Sequence, residues 1–95
     1  MATIAKLSDD EVRARLAATP AWTLDQGKLF RELRFADFVD AFAFMTKVAI
    51  VAEQQDHHPE WCNVYRTVRI HLTTHDAGGL SARDFALAAA IDARV

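Results

Sequence analysis

Three of the four histidines in this chain fall where they could do acid/base chemistry. His57 and His58 are adjacent and precede Pro59, while His75 follows a stretch of residues that alternate in polarity. If the chain reverses near Arg66, His57 and His75 lie equally far from the turn and come side by side. Imidazole has an unperturbed pKa of about 6.5, so such a cluster can hold a protonated acid and a neutral base together at neutral pH. The histidines therefore predict a proton-transfer site.

Two other interpretations of these residues remain open. A histidine pair before a proline can be no more than a polar loop, and the three histidines with Asp56 or Asp76 could also coordinate zinc or iron. Pro59 favours an extended conformation at His58, and successive side chains of an extended chain point apart. Binding of one ion by both His57 and His58 is therefore disfavoured, and we expect a site without a metal ion.

The other reactive or aromatic side chains have simpler explanations. Cys62 lies at the start of a predicted strand and is expected to be a small packing residue rather than a nucleophile. His71 alternates with buried positions and is expected to face solvent. Asp84 stands where it can cap a helix, which accounts for it without a catalytic role. Trp22 and Trp61 fit either the hydrophobic core or the walls of a pocket for a flat ligand.

The first part of the chain predicts a helix followed by a hairpin. Ser8 is a suitable N-cap and Glu11 stands where a capping box needs it, so a helix should begin there and run to about Ala18. Gly27 can adopt positive φ and suits a tight turn between two short strands. The strands are expected at Trp22–Gln26 and Lys28–Arg34.

A long central helix is expected from Asp37 to about Gln55. Apolar residues cover most of its circumference, and a helix of this kind needs burial on two sides. A second copy of the chain could cover the second side, since symmetric homodimers are the commonest oligomers; a neighbouring element of the same chain is the alternative. We favour self-association, because a small domain buries a limited share of its surface. The first apolar stripe comprises Phe38, Ala41, Met45, Val48, Ala49 and Ala52, and Phe42, Phe44, Ile50 and Val51 fall outside it.

The last part of the chain predicts a second hairpin and a third helix. Residues 62–74 are rich in β-branched side chains and alternate in polarity, and their number indicates a reversal near Arg66 rather than one strand. After two glycines, Ser81 caps a helix with Asp84 in the box position. The order α-β-β-α-β-β-α predicts an α+β fold, in which a four-stranded antiparallel sheet carries helices on one face. The apolar stripe of the last helix is expected to be Leu87, Ala88, Ile91 and Val95.

The composition indicates one globular domain spanning residues 1–95. With 52% hydrophobic and 25% charged residues, the chain lies far from the composition of disordered proteins. A net charge of -2 without any run of Lys or Arg argues against direct binding to nucleic acid. The single cysteine and the lack of a signal-peptide pattern predict a cytoplasmic protein, and no apolar run approaches the roughly 20 residues of a membrane span.

A specific pattern runs through the second half of the chain. Glu53 is followed at fixed spacing by His57-His58-Pro59, Tyr65, His75 and Asp84. By this pattern the chain resembles the pterin-4a-carbinolamine dehydratases, and the resemblance covers nearly the whole sequence. Further similar segments are 42–45, 59–61, 73–75, 79–81 and 83–84.

The resemblance implies dehydration of 4a-hydroxytetrahydropterin to quinonoid dihydropterin in the recycling of tetrahydrobiopterin, with no metal or organic cofactor. It implies a catalytic set of His57, His58 and His75, in which His57 and His75 are the acid/base pair and His58 mainly binds substrate. Delivery of a proton to the departing hydroxyl while the N5 proton is removed suits such a set. The residues expected to contact the pterin are Asp56, His57, His58, Thr73, Thr74, His75 and Asp76.

The resemblance also concerns partners. Members of the family are dimers or tetramers, so a homodimer or homotetramer is expected, in agreement with the doubly apolar central helix. Animal relatives also bind a homeodomain transcription factor. This implies an alternative function as a protein-binding module, acting as a dimerisation cofactor or transcriptional coactivator.

Overall fold

A computed structural model describes residues 3–95 of the chain. Within that range, three α-helices and four strands follow one another in the order α-β-β-α-β-β-α, and the strands form one antiparallel sheet. The α+β fold expected from the sequence is therefore confirmed. The elements are α1 (Asp9–Ala17), β1 (Thr23–Asp25), β2 (Lys28–Arg34), α2 (Phe38–Gln55), β3 (Glu60–Val64), β4 (Thr67–Leu72) and α3 (Ala82–Asp92), with a 3₁₀ turn at His75–Ala77 before α3.

The sheet has one face on the core and one face towards solvent. Its strand order is β1-β2-β4-β3, so β4 is flanked on both sides. Val68, Ile70 and Leu72 of β4 are buried whereas Arg69 between them is exposed, as expected for a strand that covers a core with one face. One hydrophobic cluster fills the space between that face and the helices.

Local capping and turn signals were correctly interpreted from the sequence. The Ser8 hydroxyl accepts from the Glu11 N–H at 3.1 Å, and the Glu11 carboxylate accepts from the Ser8 N–H at 2.9 Å, which is the expected capping box. These hydrogen bonds hold the pKa of Glu11 below its ordinary value. The first hairpin turns at Gln26 and Gly27, which both have positive φ (53° and 77°), as in a two-residue type I′ turn.

The buried face of α2 differs from the stripe expected. Phe38 and Ala49 of that stripe are exposed, while Phe44 and Val51 are buried. Because α2 is apolar on both sides, its periodicity does not predict which side is buried. The buried side is the one that packs against β4 and α3. Neither α2 nor any other helix of residues 3–95 is long and apolar enough to cross a bilayer. The buried residues of α2 are Ala41, Phe44, Val48, Val51 and Ala52.

The second hairpin turns close to the expected position but at a different register. Val64 pairs with Thr67, so the turn is centred between Tyr65 and Arg66 rather than at Arg66. If the β3–β4 pairing continued beyond the strands at this register, Thr74 and not His75 would lie opposite His57. The expectation that the register alone aligns His57 with His75 is therefore wrong by one residue.

Three side chains outside the site also correct or complete the sequence interpretation. Cys62 is exposed, because its parity on β3 places it on the outer face of the sheet, so it is not a packing residue. Val95 is exposed as well and does not extend the apolar stripe of α3. Trp22 is a core residue, buried with its indole N–H donating to Asp92 at 2.8 Å.

Candidate active site

The end of α2 turns the chain so that His57 enters the protein. Asp56 adopts the left-handed conformation (φ 52°, ψ 42°), the His57 N–H donates to the Ala52 carbonyl at 3.1 Å, and the Asp56 N–H donates to the Glu53 carbonyl at 3.2 Å. This pair of bonds is a Schellman motif, whose left-handed position is usually glycine and sometimes a short polar residue. The motif leaves Asp56 at the surface and buries His57.

His57 contacts a buried carboxylate. Its Nε2 lies 2.6 Å from Oδ1 of Asp84, a residue that is 0% exposed. The other oxygen, Oδ2, accepts from the Thr74 hydroxyl at 2.8 Å and from the Ser81 N–H at 3.0 Å. When Nε2 of neutral His57 carries the hydrogen that Asp84 accepts, the ring's lone pair is on Nδ1. Nδ1 is thus the nitrogen left free for a ligand.

A short closed loop after β4 carries His75. The backbones of Thr74 and Gly79 exchange two hydrogen bonds of 3.3 Å at its base. Inside the loop His75 begins the 3₁₀ turn, and Gly78 ends it with φ 77°, a conformation that glycine adopts without strain. The loop therefore holds Thr74 and His75 in fixed relation to each other, although the His75 ring is largely exposed.

Each of the three site histidines has a carboxylate of its own. His58 Nε2 lies 2.8 Å from Glu53, and His75 Nε2 lies 3.2 Å from Glu60. As in the His57–Asp84 pair, Nε2 is the nitrogen engaged. A carboxylate partner of this kind fixes the orientation of an imidazole and the position of its hydrogen.

One cavity of about 360 Å³ brings the predicted residues together. Its size suits a small organic ligand, and two further residues, Ile4 and Arg83, also line it. Arg83 adds a permanent positive charge that the sequence interpretation did not assign to the site. All seven residues predicted to contact the substrate line this cavity: Asp56, His57, His58, Thr73, Thr74, His75 and Asp76.

A larger cavity of about 490 Å³ lies beside the first and shares Thr73 and His75 with it. Its remaining walls come from the segment before α1, the first turn of α1, the first hairpin and residues 78–80, and include Lys6 and Lys28. Only His75 among the site histidines reaches it. The smaller cavity, which is lined by all three histidines, is therefore the candidate active site.

The carboxylate partners are the functional residues that sequence reasoning missed. The sequence predicts that Asp84 caps a helix, and it does form the capping box of α3 with Ser81. The same carboxylate also bonds His57. The pattern itself contained a signal, because both Glu53 and Asp84 belong to it. Glu60 lies in the similar segment 59–61, but nothing in the sequence indicated its contact with His75.

The arrangement of these side chains suits proton transfer. Among residues 3–95, no three histidine, cysteine, aspartate or glutamate side chains are grouped so that they could hold a metal ion. Each imidazole is instead paired with one carboxylate. Paired donors and acceptors around a small cavity are what general acid/base chemistry requires.

Comparison with known proteins gives consistent matches over the length of the chain. The family model described as pterin 4 alpha carbinolamine dehydratase matches residues 5–94. A protein of Solibacter usitatus (strain Ellin6076), named "Putative pterin-4-alpha-carbinolamine dehydratase", is 57% identical over 88 residues, which are 93% of each chain. A protein of the same name from Rhizorhabdus wittichii is 55% identical over 93 residues, 96% of each chain.

A solved structure is also similar. The crystal structure of a transcriptional coactivator/pterin dehydratase from Brucella melitensis superposes with a TM-score of 0.89 at 36% sequence identity. The match covers 94% of this chain and 97% of that one. Fold and sequence comparisons thus point in the same direction.

Proposed function

The chain belongs to the pterin 4 alpha carbinolamine dehydratase family, and from this premise we propose that it dehydrates 4a-hydroxytetrahydropterin to quinonoid dihydropterin and water. The observation that carries the proposal is the cavity lined by three histidines, each bonded to a carboxylate, together with the four other residues expected to contact the pterin. A carbinolamine carries a hydroxyl and an amine on one carbon, so its dehydration is a proton-transfer reaction. The cavity contains the groups for such a reaction.

His57 and His75 act as the acid/base pair. One imidazolium donates a proton to the C4a hydroxyl, which departs as water with the electrons of its C–O bond, while a neutral imidazole removes the N5 proton. The electrons of the N5–H bond then form the C4a=N5 double bond, so protons and electrons balance. Nδ1 is the nitrogen available for these transfers, because Nε2 of each ring is engaged by a carboxylate.

The other cavity residues bind the pterin. His58 is exposed and bonded to Glu53, which is still more exposed, so His58 can contact the pterin ring without being part of the buried network. Asp56, Thr73 and Asp76 offer polar groups at the rim. Thr74 acts as a wall, because its hydroxyl is already bonded to Asp84 and Ser81. No metal or organic cofactor takes part in this proposal.

The reaction would serve the recycling of tetrahydrobiopterin in the cytoplasm. Hydroxylated pterins form when a tetrahydropterin is consumed in an oxygenation, and their dehydration gives the quinonoid form that a reductase can return to the tetrahydro state. The single, exposed cysteine, which cannot form a disulfide within the chain, fits a reducing compartment.

A dehydratase assay on the purified protein tests the proposal. The reaction proceeds measurably without enzyme, so the expected result is a first-order rate above the buffer blank that rises in proportion to protein concentration. A strong chelator should leave this rate unchanged. A rate equal to the blank would refute the proposal, and loss of activity with chelator that zinc restores would favour the metal site instead.

Two observations favour a second function, as a protein-binding module. Phe38, Val39, Phe42 and Ile50 form an exposed apolar surface on α2, and the solved relative from Brucella melitensis bears the name of a transcriptional coactivator as well as a dehydratase. A pure binding module would not need the histidines. Binding retained by variants that lack His57 and His75 would separate this function from catalysis.

A further inference from the structure

We propose that Glu60, held by Lys28, is a positioning residue that fixes the ring of His75 beside the cavity. The proposal rests on the proposed function for its effect on catalysis, but its structural content concerns three side chains. Glu60 Oε1 accepts a hydrogen bond from Lys28 Nζ at 2.6 Å, and Oε2 lies 3.2 Å from His75 Nε2. One carboxylate therefore connects the ammonium group with the imidazole.

The Lys28–Glu60 pair spans the central part of the sheet. Lys28 is the first residue of β2 and Glu60 the first of β3, and these two strands lie on either side of β4. Glu60 pairs with His71 of β4, and Lys28 directly precedes the residue that pairs with Leu72. Both side chains thus meet at the end of β4, from which the chain leads directly to His75. Through its contact with His75, the pair connects the loop closed by Thr74 and Gly79 to the outer face of the sheet.

The orientation of the His75 ring depends on its contact with Glu60 more than the orientation of the buried His57 ring depends on any single contact. The His75 side chain is 80% exposed, and among the hydrogen bonds of residues 3–95 the one to Glu60 is the only one that engages its ring. His57 is instead buried beside Asp84. A proton-transfer group must be oriented before the reaction begins, and for His75 the available support is Glu60.

Lys28 also affects the protonation of Glu60. Its hydrogen bond is the main cause that holds the pKa of Glu60 below its ordinary value, and His75 adds to the effect while slight burial opposes it. An ionised Glu60 accepts from Nε2–H of His75 and leaves Nδ1 for the substrate. The nearest titratable groups on the neighbouring strands are His71, which pairs with Glu60, and Asp25, which pairs with Lys28 and bonds His71. The other charged or titratable groups around the two cavities are Asp56, His57, His58, Asp76 and Arg83 in the smaller and Lys6 and Asp9 in the larger.

A first test needs no catalytic activity. Three-bond NMR couplings that report the χ1 torsion of His75 should show one rotamer in the native protein and rotamer averaging in Glu60→Leu. The matched control is Glu32→Leu, which removes a carboxylate bonded to Arg69 at 2.7 Å on the same outer face of the sheet but away from the cavity. That control should leave His75 in one rotamer. Averaging in the native protein, or a single rotamer in Glu60→Leu, would overturn the proposal.

A second test uses the dehydratase reaction. Glu60→Leu should lower kcat about tenfold, as loss of the carboxylate that orients a metal-bound histidine does at the low end, with a smaller change in KM. Glu60→Gln keeps an oxygen that can accept from Nε2–H and should recover part of the loss. An active protein whose kcat is unaffected by Glu60→Leu would overturn the inference and leave the proposed function standing.

The role of Lys28 has its own signature in the titration of Glu60. Lys28→Met removes the main cause that lowers the pKa of Glu60, so Glu60 should take up its proton at a higher pH than in the native protein. The carboxyl ¹³C chemical shift of Glu60, followed by NMR against pH, should show this change in Lys28→Met and not in the control Arg69→Met. An unchanged titration of Glu60 in Lys28→Met would refute the part assigned to Lys28. If the native protein lacked activity, the proposed function would fail, and the NMR comparison would still decide whether Glu60 fixes His75.

Discussion

The three histidines of the site differ in what surrounds them. His57 is buried and bonded to a carboxylate that has two further donors, whereas His58 and His75 are exposed with single carboxylate partners. Similar side chains in unlike surroundings can perform unlike tasks. The proposed roles, with His57 and His75 in proton transfer and His58 in binding, therefore lead to different kinetic expectations.

Replacing His57 or His75 with Ala should lower kcat by a factor of about 10² to 10⁴, while His58→Ala should mainly raise KM. A residue that moves a proton stabilises the transition state alone, but a binding residue stabilises substrate and transition state alike. Because dehydration also proceeds without enzyme, the losses should fall towards the low end of that range. Steady-state kinetics on variants with native circular dichroism provide the measurement, and native kinetics in all three would show that the site is wrongly assigned.

Asp84 joins the helix cap to the site, so its substitution should affect both stability and catalysis. Asp84→Asn replaces one acceptor oxygen by a donor among three buried donors, which should reduce the free energy of unfolding by about 1 to 3 kcal/mol. It should also lower kcat, because His57 loses the charge that orients it. Denaturant unfolding and kinetics on the folded variant measure the two effects.

The other capping box of the chain supplies the control for Asp84→Asn. Glu11 occupies the same box position in α1 that Asp84 occupies in α3, but it is exposed and away from the cavity. Glu11→Gln should therefore cost less stability and leave kcat unchanged. If Asp84→Asn behaved in the same way, Asp84 would be a cap and nothing more.

At this scale the sequence identified the histidines but not what holds them. The residue types and the spacing of His57, His58 and His75 predict one shared site, and all three do line one cavity. Their partners were not predictable from periodicity, because the His57–Asp84 contact joins residues 27 positions apart and the His75–Glu60 contact joins residues 15 apart. Contacts of that kind are set by the packing of whole elements.

The elements themselves were predictable wherever the signals are local. Both capping boxes and the Gln26-Gly27 turn lie within a few residues of chain, and their hydrogen bonds depend on those residues alone. The exact register of the second hairpin was not predictable, because no glycine or proline marks its turn and Tyr65 carries the positive φ instead. A shift by one residue exchanges Thr74 for His75 opposite His57.

Helix α2 shows how a strong pattern can still leave the orientation open. Its apolar residues occupy two opposite sides, so a period of 3.6 residues fits either side as the inner face. Phe44 and Val51 are buried although they do not belong to the apolar stripe predicted from the sequence. The Schellman motif at Asp56 was likewise missed, because the left-handed position lacks the glycine that usually marks it.

In the molecule as a whole, the two catalytic histidines proposed are supported from opposite sides of the sheet. Asp84 belongs to α3 and reaches His57 from the helix layer. Glu60 shares the outward parity of Cys62 on β3 and reaches His75 from the solvent face. The cavity therefore lies at the end of the sheet where both layers have access, and a disturbance in either layer should affect one histidine more than the other.

The same two-layer architecture leaves one side of α2 uncovered. The inner side packs against β4 and α3, while Phe38, Val39, Phe42 and Ile50 on the other side are between 46% and 71% exposed. Within residues 3–95 no element of the chain covers them. Exposed apolar side chains grouped on one side of a helix are typical of an interaction surface, and a second copy of the chain would supply a matching one.

We therefore expect the protein to self-associate through α2. Sedimentation velocity at micromolar concentration should give a species heavier than the 10.6 kDa chain. Ile50→Glu should shift it towards the monomer, because the new charge would be buried without a partner in the interface, whereas the folded chain tolerates it at an exposed position. Lys47→Gln changes the net charge by the same amount at an exposed charged position of the same helix and should leave the assembly intact. A native protein that sediments as a monomer would contradict the role assigned to the exposed face of α2.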